Sequence, residues 1–263
     1  MHGVYARLPL VPPSSEPISP HWARISARHT HSSPLPRPWN FPNVLLLSPL
    51  AGALAAGCCV LLKPSEHTPT CAAALASLIP AYLDPSAIAV AQGGPSETMH
   101  ALETHRWDHV FFTGGTRVGR EVAVAAARHL TPLTLELGGK SPVFVSEDIG
   151  DDELQVAAKR VWHGRLLNAG QVCISPDYVL VQKTKVDAFV EGIKKANEEF
   201  FGEAGEGVVQ VGNIVSVAHF ERIRNLLART KGRVVIGGKV LGEKRIAPTV
   251  VTDVREDDAL MEE

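Results

Sequence analysis

The chain has 263 residues, 45% of them hydrophobic and 21% charged, with a net charge of −2. This balance describes a soluble globular chain long enough to bury a core, in one or two domains; without a basic stripe it argues against a nucleic-acid partner. The four cysteines, Cys58, Cys59, Cys71 and Cys173, form no CxxC pair, which argues against a zinc site or a disulfide framework and suits a reducing compartment.

Residues 1–37 are rich in Pro, Ser and His, carry one acidic residue, Glu16, and lack periodicity. That composition predicts disorder. Arg and Ser with few acids suit a transit peptide, but the prolines oppose the amphipathic helix such a peptide needs. His2, His21, His29 and His31 show no metal-ligand spacing, and no metal is expected. The uncharged run 44–62 is long enough to raise a membrane span. Pro49, Gly52 and Gly57 interrupt it, and Ala and Gly dominate it. It reads instead as a helix over 49–56 followed by a buried strand over 58–62.

From there the chain alternates. Strands are predicted near 58–63, 87–91, 109–112 and 133–136, with helices over 66–80 (capped by Ser65), 96–106 and 116–129 between them. This rhythm, with short Gly and Pro connections, implies a parallel sheet with helices on both faces. After Gly138-Gly139 come a strand over 142–145 and a helix over 151–168. That helix opens on Asp151, Asp152 and Glu153, as the helix dipole prefers. A strand over 178–181, helices over 186–200 and 217–229 and a strand over 233–236 follow. The expected fold class is α/β, with one unit over 38–137 and a second over 138–263.

Several stretches carry candidate chemistry. Phe112-Thr113-Gly114-Gly115-Thr116-Arg117-Val118-Gly119 lies between a strand and a helix, where glycines admit the backbone to a phosphate and the helix N-terminus offers free N–H groups. It matches neither the dinucleotide fingerprint nor a P-loop, and a plain Gly-rich turn explains it as well. Lys63-Pro64-Ser65-Glu66 ends one strand and enters a helix. Its Lys and Glu could bond a ribose, and Glu66 would repel a 2′-phosphate; a helix-capping arrangement is the plainer alternative. Glu136 stands between a strand and a double glycine, and Cys173 follows Asn168-Ala169-Gly170-Gln171. A thiolate is the nucleophilic form of Cys, and a carboxylate in a dry pocket can accept a proton near neutrality. Taken singly, each is more ordinary as a strand end and as a small buried hydrophobe.

Together, Pro38-Trp39-Asn40-Phe41-Pro42, the KPSE at 63–66, FTGGTRVG at 112–119, LELGGKSP at 135–142 and GQVC at 170–173 resemble the aldehyde dehydrogenase superfamily in words, order and spacing. KPSE, HLTPLTLELGGKSP and the Pro-Asp-Tyr after the Cys resemble its class-3-like branch, which acts on fatty, medium-chain or aromatic aldehydes. The resemblance implies a Rossmann-like cofactor domain followed by a catalytic domain. It makes Cys173 the nucleophile, Glu136 the base that activates the hydrolytic water, and Asn40 with the Cys173 N–H the oxyanion hole. Lys63 and Glu66 would hold the adenosine ribose. Gly114, Gly115, Thr116 and Gly119 would face the pyrophosphate of NAD, with NADP the alternative cofactor. An aldehyde partner, a cytoplasmic setting and a homo-oligomeric family follow from the same likeness, although the oligomerisation segment is missing.

Family members are longer. Their helices and strands before Pro-Trp-Asn are replaced here by 1–37, and their Glu-Ile-Phe-Gly-Pro motif would begin just beyond Glu263. An open sheet edge and uncovered apolar helices are expected. Two other functions compete with aldehyde oxidation. One is an inactive fragment or interaction partner of full-length subunits. The other is a cysteine esterase that uses Cys173 and Glu136 without NAD.

Overall fold

The computed structural model describes residues 31–32, 38–202 and 211–262. The disorder expected over 1–37 lies outside the described residues, except for His31 and Ser32. These form β1 (His31–Ser32), paired in parallel with Cys59 and Val60.

Three parallel strand–helix–strand units follow, as the alternation implied. The first is β2 (Cys59–Leu62), α2 (Pro69–Tyr82) and β3 (Ile88–Val90), with Val60 opposite Ile88 and Leu62 opposite Val90. Ahead of it, α1 (Val44–Ala55) runs straight through Pro49, where the sequence suggested a helix start. Leu46 and Leu50, four residues apart, are both buried in the core formed with β2, α2 and β3. An interior proline costs about 3 kcal/mol, and two buried leucines at roughly 1.5–3 kcal/mol each offset it. α2 starts at Pro69, three residues later than expected. Ser65 is not its cap: the Ser65 hydroxyl accepts from the His67 N–H at 3.2 Å and closes a separate turn, and Pro69 takes the first helical position, where no N–H is needed.

α3 (Pro95–Thr104) begins where the Glu97 carboxylate accepts from the Gly94 N–H at 2.8 Å. The second unit is β4 (Val110–Gly114), α4 (Thr116–Arg128) and β5 (Leu133–Leu137), in register from Val110–Leu133 to Gly114–Leu137. The third is β6 (Ser141–Val145), α5 (Asp151–Leu166) and β7 (Pro176–Val181). The acidic first turn of α5 is present, but the helix stops at Leu166, short of the expected 168, because Asn168 and Ala169 turn left-handed. α6 (Val186–Phe201) and α7 (Val217–Arg229) complete the helices among the described residues.

Beyond β7 the strands pair antiparallel. β8 (Arg233–Ile236) pairs antiparallel with β11 (Val250–Thr252), and β9 (Val240–Gly242) pairs antiparallel with β10 (Arg245–Ile246). Only Glu243 and Lys244 join β9 to β10, a connection that permits a hairpin but no parallel crossover, and β8 and β11 flank that hairpin.

Three apolar clusters hold these elements. Two lie within residues 46–137, around β2–β3 and around β4–α4–β5. The third joins β6, β7, α5 and α6 with Ile236 and Val250. On the opposite face of β6–β7, the register partners Phe144 and Leu180 are 78% and 51% exposed, so apolar surface is uncovered, here on a sheet. Among the described residues, no helix is long and apolar enough to cross a membrane.

Candidate active site

The carboxyl ends of parallel strands are where α/β folds gather ligands; Lys63 and Glu66 follow β2, Gly114 ends β4 and Glu136 lies near the end of β5, whereas Asn40 precedes α1 and Cys173 precedes β7. Lys63 follows β2 and is 3% exposed. Its Nζ donates to the Pro64 carbonyl at 3.0 Å, to Glu66 Oε2 at 3.0 Å and to the Gly93 carbonyl at 2.7 Å, just after β3. All three ammonium protons are therefore used within the protein. Burial pushes the Glu66 carboxyl up, but its own backbone amide, Lys63 and His67 outweigh that and hold it below the ordinary carboxylate value. Glu66 stays ionised and partly open to solvent, with Oε2 on Lys63 and Oε1 4.0 Å from His67 Nε2.

The glycines of the β4–α4 turn divide by role. A Cβ on Gly115 would meet nothing within 4 Å, so the backbone at the start of α4 is open to a ligand. Thr116 opens the helix beside it. A Cβ on Gly114 would lie 2.6 Å from the Phe112 ring. Gly119 corrects the expectation that it faces a pyrophosphate. It is buried, its N–H bonds the Gly115 carbonyl, and a Cβ there would sit 2.8 Å from Leu137 Cδ2. Its small size lets α4 approach β5.

Cys173 follows a short 3-10 turn, Leu167–Gly170, in which Asn168 (φ 51°), Ala169 (φ 56°) and Gly170 (φ 74°) are all left-handed. A left-handed non-glycine costs roughly 1–2 kcal/mol, and such strain collects at functional loops. Cys173 is exposed. Asn40, 133 positions earlier, reaches this loop: its Nδ2 donates to the Gln171 carbonyl at 2.9 Å, and Asn168 Nδ2 donates to the Asn40 carbonyl at 3.1 Å. The Phe41 N–H donates to Asn40 Oδ1 at 3.1 Å. These partners choose one orientation of the amide and leave its second N–H proton free to donate.

Glu136 is the fourth residue of β5, opposite Thr113. The dry pocket expected around it is not formed by the described residues. Glu136 itself is exposed, and its carboxylate makes no hydrogen bond or ion pair among them. Two open cavities of about 450 and 600 Å³ are lined by 211–213 with 243–245 and by the outer face of α7, and neither includes Glu136 or Cys173.

Sequence reasoning missed two connectors. Lys140 donates to Asp177 and, at 2.7 Å, to the Leu260 carbonyl, tying the segment after Glu136 to the strand after Cys173. His219, on α7, packs edge-on against Trp39 at 6.0 Å and His67 at 6.3 Å between ring centroids. Trp39 adjoins Asn40 and His67 adjoins Glu66, so His219 bridges the two ends of the site. Burial, helped by Arg222 and His67, depresses its pKa and keeps it neutral at pH 7. Lys140 lay inside a quoted motif, but nothing near His219 marked it.

A family model described as the aldehyde dehydrogenase family matches residues 37–263. Aldehyde dehydrogenase family 3 member B1 of Rattus norvegicus is 48% identical over 227 residues, which cover 86% of this chain and 47% of that protein. Among solved structures, the substrate-bound state of AldH from Staphylococcus aureus is 37% identical with a TM-score of 0.81, covering 89% of this chain and 51% of its own. An aldehyde dehydrogenase of Mycobacterium tuberculosis in complex with NAD+ is 30% identical with a TM-score of 0.78, covering 89% and 49%. The chain spans about half the length of the curated relatives it matches.

Proposed function

The chain belongs to the aldehyde dehydrogenase family, and we propose that it carries the chemical centre of a class-3-like enzyme oxidising an aldehyde to a carboxylic acid with NAD+. The observation that carries this reading is the bond from Asn40 Nδ2 to the Gln171 carbonyl, which brings an amide donor to the loop bearing Cys173.

In the proposed cycle the Cys173 thiolate adds to the aldehyde carbon. The free Asn40 N–H and the Cys173 backbone N–H stabilise the resulting oxyanion. When bound, the nicotinamide supplies the acceptor for the hydride that leaves this carbon. Collapse of the oxyanion then leaves a thioester on Cys173. Glu136 takes a proton from water as its oxygen attacks the thioester carbon; the C–S bond breaks, releasing the acid and the thiolate.

The residues fit the cofactor in three respects. Glu66 keeps an oxygen for a ribose hydroxyl, and its charge disfavours a 2′-phosphate, so NAD is favoured over NADP. Gly115 leaves room for a backbone approach, and α4 presents its N-terminus there. The division at 137/138 into cofactor and catalytic domains is supported by the separate apolar clusters on either side of it. Cys58, Cys59, Cys71 and Cys173 are all free, in keeping with a reducing, cytoplasmic setting. Assembly into a homo-oligomer rests on the family alone.

The test is aldehyde-dependent NADH formation with aliphatic and aromatic substrates. Cys173→Ala should abolish it, and Glu136→Gln should leave a single burst of about one NADH per chain. Turnover that survives Cys173→Ala, or no NADH with any aldehyde, would end this reading. NAD-independent ester cleavage is a second reading, favoured by the exposure of Cys173 and the unpartnered Glu136 carboxylate. Ester hydrolysis without NAD, unchanged in Glu66→Ala, would select it.

A further inference from the structure

We propose that Gln171 is a positioning residue that holds the nucleophile loop and, through its own carbonyl, aims the oxyanion donor Asn40. This rests on the reading of Asn40 and Cys173 given above. Every polar group of Gln171 is engaged. Its Nε2 donates to the Asn168 carbonyl at 3.0 Å and to the Asn213 carbonyl at 3.2 Å, and its Oε1 accepts from the Val215 N–H at 2.9 Å. Its backbone N–H donates to the Asn168 carbonyl at 3.1 Å. Its backbone carbonyl accepts from Asn40 Nδ2 at 2.9 Å and, at 3.5 Å, from Asn168 Nδ2.

The geometry explains why such a clamp is needed. Asn168, Ala169 and Gly170 are consecutive left-handed residues, a path an L-peptide leaves unless its surroundings hold it. The Gln171 side chain supplies that hold by fastening the loop to 213–215, some forty residues away in sequence. The fastened carbonyl then fixes one N–H of Asn40 and leaves the other for the oxyanion. Released from 213–215, the loop can relax, and the carbonyl that aims Asn40 moves with it. Displacement of a catalytic donor by about 1 Å can cost on the order of 100-fold in rate.

The experiment is a double-mutant cycle of Gln171→Ala and Asn40→Ala. It is read in kcat per Cys173 titrated by iodoacetamide, and separately in urea unfolding. Gln171→Ala should lower per-site kcat by about 10–100-fold, less than the roughly 100–1,000-fold of removing an oxyanion donor outright because Asn40 is misaimed and not deleted, with the KM for NAD within about twofold. In the Asn40→Ala background the same change should cost little further rate, because its effect passes through Asn40. Gln171→Glu keeps the size and the acceptor for Val215 while losing both donors. It serves if the alanine variant fails to fold, and it should show at least as large a loss, since a carboxylate oxygen then faces the Asn168 and Asn213 carbonyls. Additive rate losses, a loss confined to the titrated fraction of Cys173, or full kcat in both variants would overturn the proposal. If the unaltered protein makes no NADH, the dehydrogenase reading falls instead. The urea cycle then decides the clamp: non-additive stabilities of the two variants support it, and additive ones overturn it.

Discussion

Replacing Lys63 by Met keeps the methylene stem and removes only the charge and its three donors. In the native structure the ammonium sits 3% exposed against two backbone carbonyls and Glu66. The replacement leaves the Pro64 and Gly93 carbonyls without this donor in a buried place, at roughly 1–3 kcal/mol for an unmet buried polar group. Breaking a buried ion pair costs about 3–5 kcal/mol, but the Glu66 side chain is 39% exposed and can recover water. The expected loss is therefore about 3 kcal/mol, at the low end of that range, read as a lower urea midpoint. A pH signature accompanies it. Glu66 is held below its ordinary value, near 4.5, partly by Lys63. It thus contributes stability above that value that is lost as pH falls through the depressed one. In Lys63→Met this acid-side loss should shrink. A change below about 1 kcal/mol with an unaltered acid limb would show that the three bonds do not carry the turn.

Four further outcomes are expected. Gly119→Val should destabilise by at least about 2 kcal/mol in urea, since even a Cβ would lie 2.8 Å from Leu137 and overpacking costs roughly 1–3 kcal/mol. Gly115→Ala, with open space and φ −76°, should stay within about 0.5 kcal/mol of the native protein. Ala169→Gly should stabilise by about 0.5–1 kcal/mol, because relief of the left-handed strain at φ 56° exceeds the entropy glycine adds to the unfolded chain; an unchanged midpoint would show that the loop is not strained there. Burial depresses His109 and His219, the latter helped by Arg222 and His67. Their neutral forms favour the folded state, so stability present above pH 6.5 should be lost as pH falls from 6.5 through the depressed values. His219→Gln should flatten part of that slope between pH 7.5 and 5.5.

The three parallel units were legible in the sequence because β-branched and aliphatic runs, amphipathic helices and Gly or Pro punctuation change period at their borders. The strands after residue 238 were not. They are two or three residues long and either exposed or half-buried throughout, so little alternation marks them. Pro49 misled for a related reason: a local rule about proline yields when Leu46 and Leu50 bury the helix around it.

At the site, Cys173, Glu136 and Asn40 were singled out by the resemblance of their motifs, in words, order and spacing, to the aldehyde dehydrogenase superfamily, and their roles as nucleophile, base and oxyanion donor are the ones proposed above. Only the tertiary structure decided what surrounds them. Contact across the fold brings Asn40 to Gln171, 131 residues away, and Lys63 to the Gly93 carbonyl, 30 residues away. It gives Gly119 to helix–strand packing and leaves Gly115 open. It also leaves Glu136 exposed where a pocket was expected. A sequence states which groups are present, but distance, burial and the pairing of donors with acceptors arise only when strands and helices far apart in the chain are packed together.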